Sequence, residues 1–316
     1  MKIPIYNHLI ASLKMFFYNI FCKCYIKSFG EKDKRNLKYR VSLCLIFKDE
    51  APFIKEWLDY HLAIGIDHFY LYDNNSTDNY KEIIQSYLDK GIITLYDWPY
   101  EQAQAKCYQH CLEKHREESN WIGYIDADEF VCPRIETDIK NWIKKFDKFP
   151  SVMIYWLQFG SSGIIKHDYS KNVIEQYTSC MDHFWNYGKC FVNTRFQQVN
   201  WNTQFFHHNS YTTYNFFGIN IVLPSINQYG RFCLMNHSRI TNMKKFQKRD
   251  IQINHYYIKS WDIYKSKMTK SDVFFKQNPK DESKFYGRDM QCIEKDYTIS
   301  RFLIKIKLLQ WNNGKF

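Results

Sequence analysis

The sequence lacks the short motifs that would assign a function at once. It contains no GxxxxGKS/T loop, no GxGxxG and no GxSxG, which leaves a P-loop site, a Rossmann dinucleotide site and a hydrolase nucleophile elbow without support. Glycine and proline are scarce, at 11 and 7 of 316 residues, and there is no internal repeat. With 45% hydrophobic residues, the chain is long and apolar enough for one large folded domain rather than a disordered protein.

A zinc-binding pattern is also missing. The ten cysteines are irregularly spaced, and the close pairs Cys22/Cys24 and Cys107/Cys111 have no matching Cys or His cluster to complete a zinc site. Cys107 and Cys111 lie one turn apart on a predicted helix, where buried free thiols are expected. No signal peptide with a small-residue cleavage site is recognisable. Reduced thiols and a cytoplasmic location are therefore expected.

The formal net charge of +11 is concentrated at the two ends of the chain. Residues 1–40 carry nine Lys and Arg against two Asp and Glu, and residues 241–316 carry seventeen against eight. The central residues 41–240 carry eighteen against twenty-three, a net charge of −5. Basic ends around a mildly acidic centre predict a body that performs the chemistry and ends that contact an anionic surface, either membrane or nucleic acid.

The segment 5–27 favours a membrane over nucleic acid. Polar and basic side chains share one helical face, and bulky apolar side chains share the other: His8, Ser12, Asn19, Lys23 and Lys27 against Leu9, Leu13, Phe16, Phe17, Ile20 and Phe21. Lys14 interrupts the apolar side, so no unbroken run approaches the roughly 18 residues of a spanning helix. An interfacial amphipathic helix is predicted, and a core-packing helix is the alternative. Residues 301–311 give a weaker signal of the same kind.

From residue 41 onward, strand and helix patterns alternate. The runs 41–47, 67–73, 92–98 and 121–125 are apolar and typical of strands, whereas 54–65, 80–90 and 101–116 have helical spacing. Such alternation predicts an α/β fold with a mostly parallel sheet wound with helices. Ligands of these folds bind beyond the carboxyl ends of the strands.

Three of the predicted strand ends are polar and should meet at one edge. They are Lys48-Asp49-Glu50, Asp73-Asn74-Asn75 and Asp126-Ala127-Asp128. Carboxylates spaced as DxD after an apolar strand are suited to a divalent cation that bridges to a diphosphate. An acidic capped turn is the alternative. A phosphotransferase with Asp126 as nucleophile is less favoured, because such a nucleophile usually ends the first strand of its domain.

At this point the order of elements resembles a known family. The stretches CLIFKDEAPFIKEWLDYHLAIGIDHFYLYDNNSTDN, YDWPYEQAQAKCYQHCL and WIGYIDADEFVCP, followed by WLQFGSSG, YGKCFVN and NHYYIKSWDIYKSK, resemble glycosyltransferase family 92 and bacterial relatives of the GT-A superfamily. The resemblance covers roughly residues 41–270. It divides the chain into a basic membrane-associating segment, 1–40, a GT-A domain, 41–270, and a basic helical C-terminal extension, 271–316.

The resemblance implies metal-dependent transfer of a hexose, most often galactose, from a UDP-sugar with inversion. It implies that Asp73 contacts the uridine or ribose, that Asp126 and Asp128 form the DxD with Asp128 nearest the metal, and that His255 completes the metal–diphosphate site. Mn²⁺ or Mg²⁺ is the expected ion, with an imidazole ligand favouring Mn²⁺. Asp73 as a turn cap and His255 as a core histidine are the alternatives.

Further positions follow from the same resemblance. Gln102, Gln104 and Lys106 open the helix before the DxD strand, where relatives hold the nucleotide, although Lys106 as a solvated helix charge is the alternative. Inversion also needs a general base on the acceptor side. The segment after FGSSG offers four candidates, Asp168, Glu175, Asp182 and His183, of which we select Asp182.

The expected partners are a nucleotide-sugar donor, a glycan or glycolipid acceptor and an anionic membrane surface, without nucleic acid. The expected location is the cytoplasmic face of a membrane, as a peripheral protein. Another donor, UDP-glucose or a UDP-N-acetylhexosamine, is the alternative within the same fold. A catalytically inactive membrane-bound adaptor is the alternative from another functional class.

Overall fold

A computed structural model describes residues 5–102, 104–199, 207–234, 249–269 and 280–313. Within these residues one large mixed sheet forms the centre. Its strands are β1 (Tyr39–Phe47), β2 (His68–Asp73), β3 (Ile93–Asp97), β4 (Ser119–Tyr124), β5 (Glu129–Pro133), β6 (Ser151–Gln158), β8 (Gly188–Asn193), β11 (Ile226–Asn227) and β12 (Ile251–His255). Two small antiparallel pairs join β9 (Thr212–Phe216) to β10 (Ile219–Leu223) and β7 (Ser179–Cys180) to β13 (Glu294–Lys295).

The helices cover the sheet and extend the chain at both ends. They are α1 (Ile5–Phe17), α2 (Lys23–Phe29), α3 (Ala51–Ala63), α4 (Tyr80–Asp89), α5 (Gln104–His115), α6 (Ile139–Ile143), α7 (Val173–Gln176), α8 (Trp261–Thr269), α9 (Glu282–Asp289) and α10 (Leu303–Asn313). A π-helical turn, Tyr18–Cys22, joins α1 to α2. The predicted strands and helices of residues 41–125 are confirmed, with ends shifted by one to three residues.

The first half of the sheet is parallel, as predicted. Strands β3, β2, β1 and β4 lie side by side in that order and run in the same direction. The last residue of β1, Phe47, is opposite the last residue of β2, Asp73, and Cys44 is opposite Tyr124 at the end of β4. The three polar strand ends therefore lie at the same edge.

The second half of the sheet brings later parts of the chain to that edge. Strand β8 is antiparallel to β4 and β6, and β12 pairs in parallel with β6 and antiparallel with β5. His255 at the end of β12 is opposite Glu129, and the Tyr256 backbone N–H donates to the Asp128 carbonyl oxygen at 2.8 Å. Strand pairing thus places His255 beside the DxD turn.

A core side chain on α3 supports the DxD turn. The indole Nε1 of Trp57 donates to the carbonyl oxygens of Asp126, at 3.1 Å, and Glu129, at 3.0 Å. Trp57 is fully buried on α3. A buried donor that ties two carbonyls together fixes the path of the chain after β4. Cys107 and Cys111 are buried and free, as expected from the sequence.

The N-terminal helical segment packs on the domain with one face and leaves the other exposed. Cys22 and Ile26 are buried, whereas Leu13, Phe16 and Phe21 are exposed. The stretch Leu9–Phe29, 21 residues, is long and apolar enough to cross a membrane by length and composition alone. Lys14, Lys23 and Lys27 lie within this stretch, so it is not an unbroken apolar run, as the sequence had indicated.

The C-terminal part packs on the body of the protein. The Arg134 guanidinium bonds the Asp296 carboxylate at 2.5 Å, and the Ser161 backbone N–H donates to Asp289 at 2.6 Å. The described part of the segment 271–316, residues 280–313, is therefore joined to strand-end loops of the sheet.

Candidate functional site

A cavity of about 830 Å³ opens at the carboxyl ends of β1 and β4. Its wall combines the ends of β1, β4 and β12 with one face of α8, and includes Phe47, Glu50, Asp126, Asp128, His255 and Lys267. This is the edge at which α/β sheets bind ligands, and the volume is within the range of small-molecule sites. The cavity is therefore the candidate active site.

Asp126 is tied to three neighbouring side chains. The Lys189 ammonium Nζ lies 2.8 Å from its Oδ2. The Tyr108 hydroxyl, at 3.0 Å, and the Gln104 amide Nε2, at 3.3 Å, both donate to its Oδ1. Both carboxylate oxygens thus already have donors, so Asp126 is a structural anchor at the cavity floor.

Lys189 also lies near a second carboxylate, that of Glu129. Its Nζ lies 3.8 Å from Glu129 Oε2, and both residues are fully buried. Burial alone would lower the pKa of Lys189, but the carboxylates of Asp126 and Glu129 outweigh this and raise that pKa. Burial raises the pKa of Glu129 well above its usual range, with Lys189 opposing only in part. Lys189 thus pairs with Asp126 and lies beside Glu129, whose Oε2 also accepts the Asp126 backbone N–H at 3.1 Å.

Asp128 faces the cavity with two different partners. The Lys267 ammonium donates to its Oδ2 at 2.9 Å, and Nε2 of His255 lies 3.5 Å from its Oδ1. Burial alone would raise the pKa of Asp128, but Lys267 and His255 together hold that pKa well below its usual range. Asp128 is therefore ionised, and its Oδ1 side is turned toward an imidazole.

His255 is oriented by a second hydrogen bond. Its Nδ1 pairs with the Gln158 amide Nε2 at 3.0 Å, which makes Nδ1 the acceptor. Burial lowers the pKa of His255, although Asp128 opposes this. The result is a neutral imidazole that carries its proton on Nε2 and turns it toward Asp128. Metal binding through Nε2 requires the other tautomer, with the Gln158 side chain turned so that its amide oxygen accepts from Nδ1.

These contacts divide the predicted metal ligands into two groups. Asp128 Oδ1 and His255 Nε2 face each other at a separation that an ion could bridge, whereas Asp126 is occupied by Lys189, Tyr108 and Gln104. Across the described residues, no group of three or more His, Cys, Asp or Glu is arranged to hold a metal. Asp128 and His255 fit as a two-ligand set that needs a ligand from outside the protein, and Asp126 does not fit.

Most of the other residues predicted to bind the donor lie outside the cavity wall. The Asp73 carboxylate accepts the Ser76 backbone N–H at 2.9 Å and is outside the cavity wall, so its observed contact is that of a turn cap. Gln102 precedes α5 in a left-handed conformation with φ 48°, and Lys106 is exposed on α5. Of Gln102, Gln104 and Lys106, only Gln104 lines the cavity.

The predicted base, Asp182, lies outside the cavity wall. Its carboxylate pairs with His183 Nδ1 at 2.5 Å, and its backbone carbonyl accepts from Arg249. Glu175 caps α7 and pairs with Lys307, and Asp168 binds Ser170. None of the four acceptor-side candidates lines the cavity.

Sequence reasoning missed the two lysines that hold the carboxylates. Lys189 and Lys267 both lie in stretches that carry the family resemblance, but neither was given a role. A signal for Lys189 was present, because a lysine between Gly188 and Cys190 in an otherwise apolar strand must be paired if it is buried. Nothing in the spacing of Lys267 indicated that α8 would face the DxD turn.

A third buried lysine lies behind the cavity wall. The Lys259 ammonium is 3.9 Å from the ring centroid of Phe53, a cavity residue, and has no hydrogen-bond acceptor among the described residues. Burial lowers the pKa of Lys259 to about 8, with Lys267 adding to the effect. This cation–π contact adds positive potential beside Phe53 in the cavity wall.

The sequence of this chain is similar to those of known proteins. Residues 38–299 match the sequence model of glycosyltransferase family 92. A glycosyltransferase family 92 protein of Ricinus communis is 32% identical over 45% of this chain and 27% of its own length. A galactan beta-1,4-galactosyltransferase of Arabidopsis thaliana is 24% identical over 34% of this chain and 23% of its own length. The chain therefore covers only about a quarter of the length of these relatives.

Among solved structures, Staphylococcus aureus TarS in complex with UDP matches 49% of this chain and 47% of its own, at 14% identity and a TM-score of 0.35. Glucosyl-3-phosphoglycerate synthase from Mycobacterium tuberculosis, in complex with Mn²⁺, UDP and its product, matches 37% of this chain and 44% of its own, at 14% identity and a TM-score of 0.26. The family match spans more than three quarters of the sequence. This chain belongs to glycosyltransferase family 92.

Proposed function

We propose that this protein is a glycosyltransferase that moves a hexose, with galactose as the first candidate, from a UDP-sugar to a hydroxyl of a surface-glycan acceptor. The observation that carries this proposal is the meeting of Asp128, His255 and Lys267 in a cavity at the strand ends. One ionised carboxylate, one neutral imidazole and one ammonium suit a metal-bound diphosphate. Family membership and the Arabidopsis galactan galactosyltransferases support the choice of galactose.

The metal requirement is part of the proposal. Asp128 and His255 would hold Mn²⁺ or Mg²⁺, which when bound supplies positive charge to the diphosphate leaving group. Lys267 would share that task from the other side of Asp128, because its ammonium is already fixed 2.9 Å from the carboxylate. Asp126 would instead fix the shape of the cavity floor through its contact with Lys189, and it would not bind the ion.

Transfer with inversion is a single displacement. A bond forms between the acceptor oxygen and the anomeric carbon, the bond from that carbon to the β-phosphate oxygen breaks, and UDP leaves with the electron pair. The acceptor proton passes to a base on the opposite face of the sugar. The assignment of that base to Asp182 stays a prediction from sequence, and the position of Asp182 outside the cavity gives it no support.

A donor panel tests the proposed function. Purified protein is incubated with Mn²⁺ and UDP-galactose, UDP-glucose or a UDP-N-acetylhexosamine, and release of UDP is measured. We expect turnover with one donor, inhibition by EDTA and restoration by added Mn²⁺. Preference for another UDP-hexose would replace galactose only. Absence of both UDP binding and UDP release in folded protein would support the adaptor alternative and overturn the proposal.

The role of Lys267 can be tested separately. We expect Lys267→Met to reduce turnover of the preferred donor by about a hundredfold, because one fixed charge facing the leaving group is lost. Lys267→Arg keeps the charge and should retain most of the activity. Steady-state rates of UDP release at saturating donor measure both effects. Equal activity of the Met variant and the wild type would show that Lys267 serves only to pair with Asp128.

A further inference from the structure

The N-terminal helical segment carries two apolar stripes on opposite faces. The inner stripe packs on the domain: Cys22 and Ile26 are buried, and the Tyr18 hydroxyl donates to the Val222 carbonyl at 3.1 Å. Asn19 joins this face, since its Oδ1 accepts the Phe232 backbone N–H at 2.9 Å. The helix is therefore fixed along the surface of the domain from Tyr18 onward.

The outer stripe has no covering among the described residues. Its side chains are spaced by three, four and one residues along one helical face and are 42–61% exposed: Leu9, Leu13, Phe16, Phe17, Ile20 and Phe21. Single exposed apolar side chains are ordinary on protein surfaces, but six on one face form a continuous patch. A patch of this kind indicates an interaction surface.

The tip of the β9–β10 hairpin adds to the same region. Phe217 is 84% exposed, Ile219 is 67% exposed, and the Phe217 ring contacts Tyr25 of α2 at a centroid distance of 4.8 Å. Phe217 also has φ 48°, a left-handed conformation that favours Gly or Asn and disfavours a bulky residue. The contact with Tyr25 leaves most of the Phe217 ring exposed, so the hairpin tip presents a bulky apolar side chain to the solvent despite an unfavourable backbone conformation.

The charge around this surface indicates which kind of ligand it would bind. Lys14 and Lys27 are exposed on the helix, and residues 1–40 carry nine Lys and Arg against two Asp and Glu. Bulky apolar side chains flanked by lysines match a lipid bilayer with anionic headgroups. A second copy of this chain would bring the same positive charges together, so self-association is disfavoured.

We propose that the outer stripe and the hairpin tip form one surface that inserts into the interface of an anionic bilayer, with the helix lying in the plane of the membrane. The length of Leu9–Phe29 would allow it to cross a bilayer. However, the contacts of Tyr18, Asn19 and Ile26 hold this helix against the folded domain, which a spanning position would break. This surface is separate from the cavity, so it stands independently of the proposed function.

Replacement of Phe217 tests the proposal. Relief of backbone strain should leave the stability unchanged or higher, whereas loss of an inserted side chain should weaken membrane binding. Phe217→Asn places a residue that tolerates positive φ at the hairpin tip, so thermal stability should be unchanged or higher. Binding to phosphatidylcholine vesicles that contain phosphatidylserine should fall by about tenfold, as for the loss of one buried aromatic side chain. Ile135→Asn, at a 61% exposed residue in the loop after β5, is the matched control and should leave binding unchanged. Vesicle co-sedimentation measures the partition of each variant.

A second variant tests the helix itself. Leu13→Glu with Phe16→Glu changes only exposed positions, so the fold should be retained while vesicle binding is lost. Vesicles of phosphatidylcholine alone should bind the wild type more weakly, because the lysines then have no anionic headgroups. Unchanged binding in the Phe217 and double-Glu variants would overturn the proposal. A concentration-dependent dimer that dissociates in both variants would overturn it too, in favour of an interface between copies.

Discussion

Lys189→Met is expected to lower the free energy of unfolding by about 3–5 kcal/mol, the usual cost of removing one partner from a buried ion pair. Lys189 is buried, and its ammonium lies 2.8 Å from Asp126 and 3.8 Å from Glu129. Without it, the Asp126 carboxylate keeps only the Tyr108 and Gln104 donors. Urea denaturation followed by circular dichroism measures the loss.

A matched variant of an exposed lysine tests whether burial of the ion pair causes this loss of stability. Lys307 pairs with Glu175 on the surface, with the lysine side chain 58% exposed, and Lys307→Met should cost at most about 1 kcal/mol. Glu129→Gln should cost less than Lys189→Met, because the closer contact of Lys189 with Asp126, at 2.8 Å, is retained. Similar destabilisation by Lys189→Met and Lys307→Met would refute the buried charge cluster.

Asp128→Asn is expected to reduce donor turnover by about a thousandfold while leaving the protein folded. The asparagine keeps the shape of the side chain but removes the negative charge that faces His255 and Lys267. It should also abolish stimulation of UDP binding by Mn²⁺, which isothermal titration with UDP measures directly. The loss of metal stimulation separates a ligand role from a general effect on the cavity.

The control for this substitution is an exposed carboxylate away from the cavity. The exposed Asp89 carboxylate on α4 accepts from the Gln85 amide Nε2 at 2.7 Å, and Asp89→Asn should retain wild-type turnover. If Asp128→Asn retained wild-type turnover as well, or if the wild type were fully active in EDTA, the metal assignment would be excluded. The DADEF turn would then serve only as a capped turn at the end of β4.

The sequence predicted the parts of the site that depend on local pattern and strand direction. The apolar runs gave β1, β2, β3 and β4, and parallel pairing requires their carboxyl ends to meet. The position of His255 could not be predicted from local pattern, because its place beside Asp128 follows from the pairing of β12 with β5. The family resemblance supplied that position, because composition and spacing near residue 255 carry no such information.

The rest of the site depends on contacts between distant parts of the chain. Asp126 is separated from Lys189 by 63 residues and Asp128 from Lys267 by 139, and no local pattern reports such pairs. The acceptor-side candidates failed to reach the cavity for a related reason. Asp182 lies between the stretches that carry the family resemblance, so its choice rested on residue type alone.

The two-faced N-terminal helix has a consequence for the order in which the protein is made. Tyr18 is 204 residues before its partner Val222, and Asn19 is 213 residues before Phe232. At translation rates of 5–20 residues per second, the helix therefore leaves the ribosome about 10–40 s before the strand that receives its inner stripe. During that interval both apolar faces are exposed together. A cell that makes this protein must shield that helix, by chaperone or bilayer, well before the catalytic domain is complete.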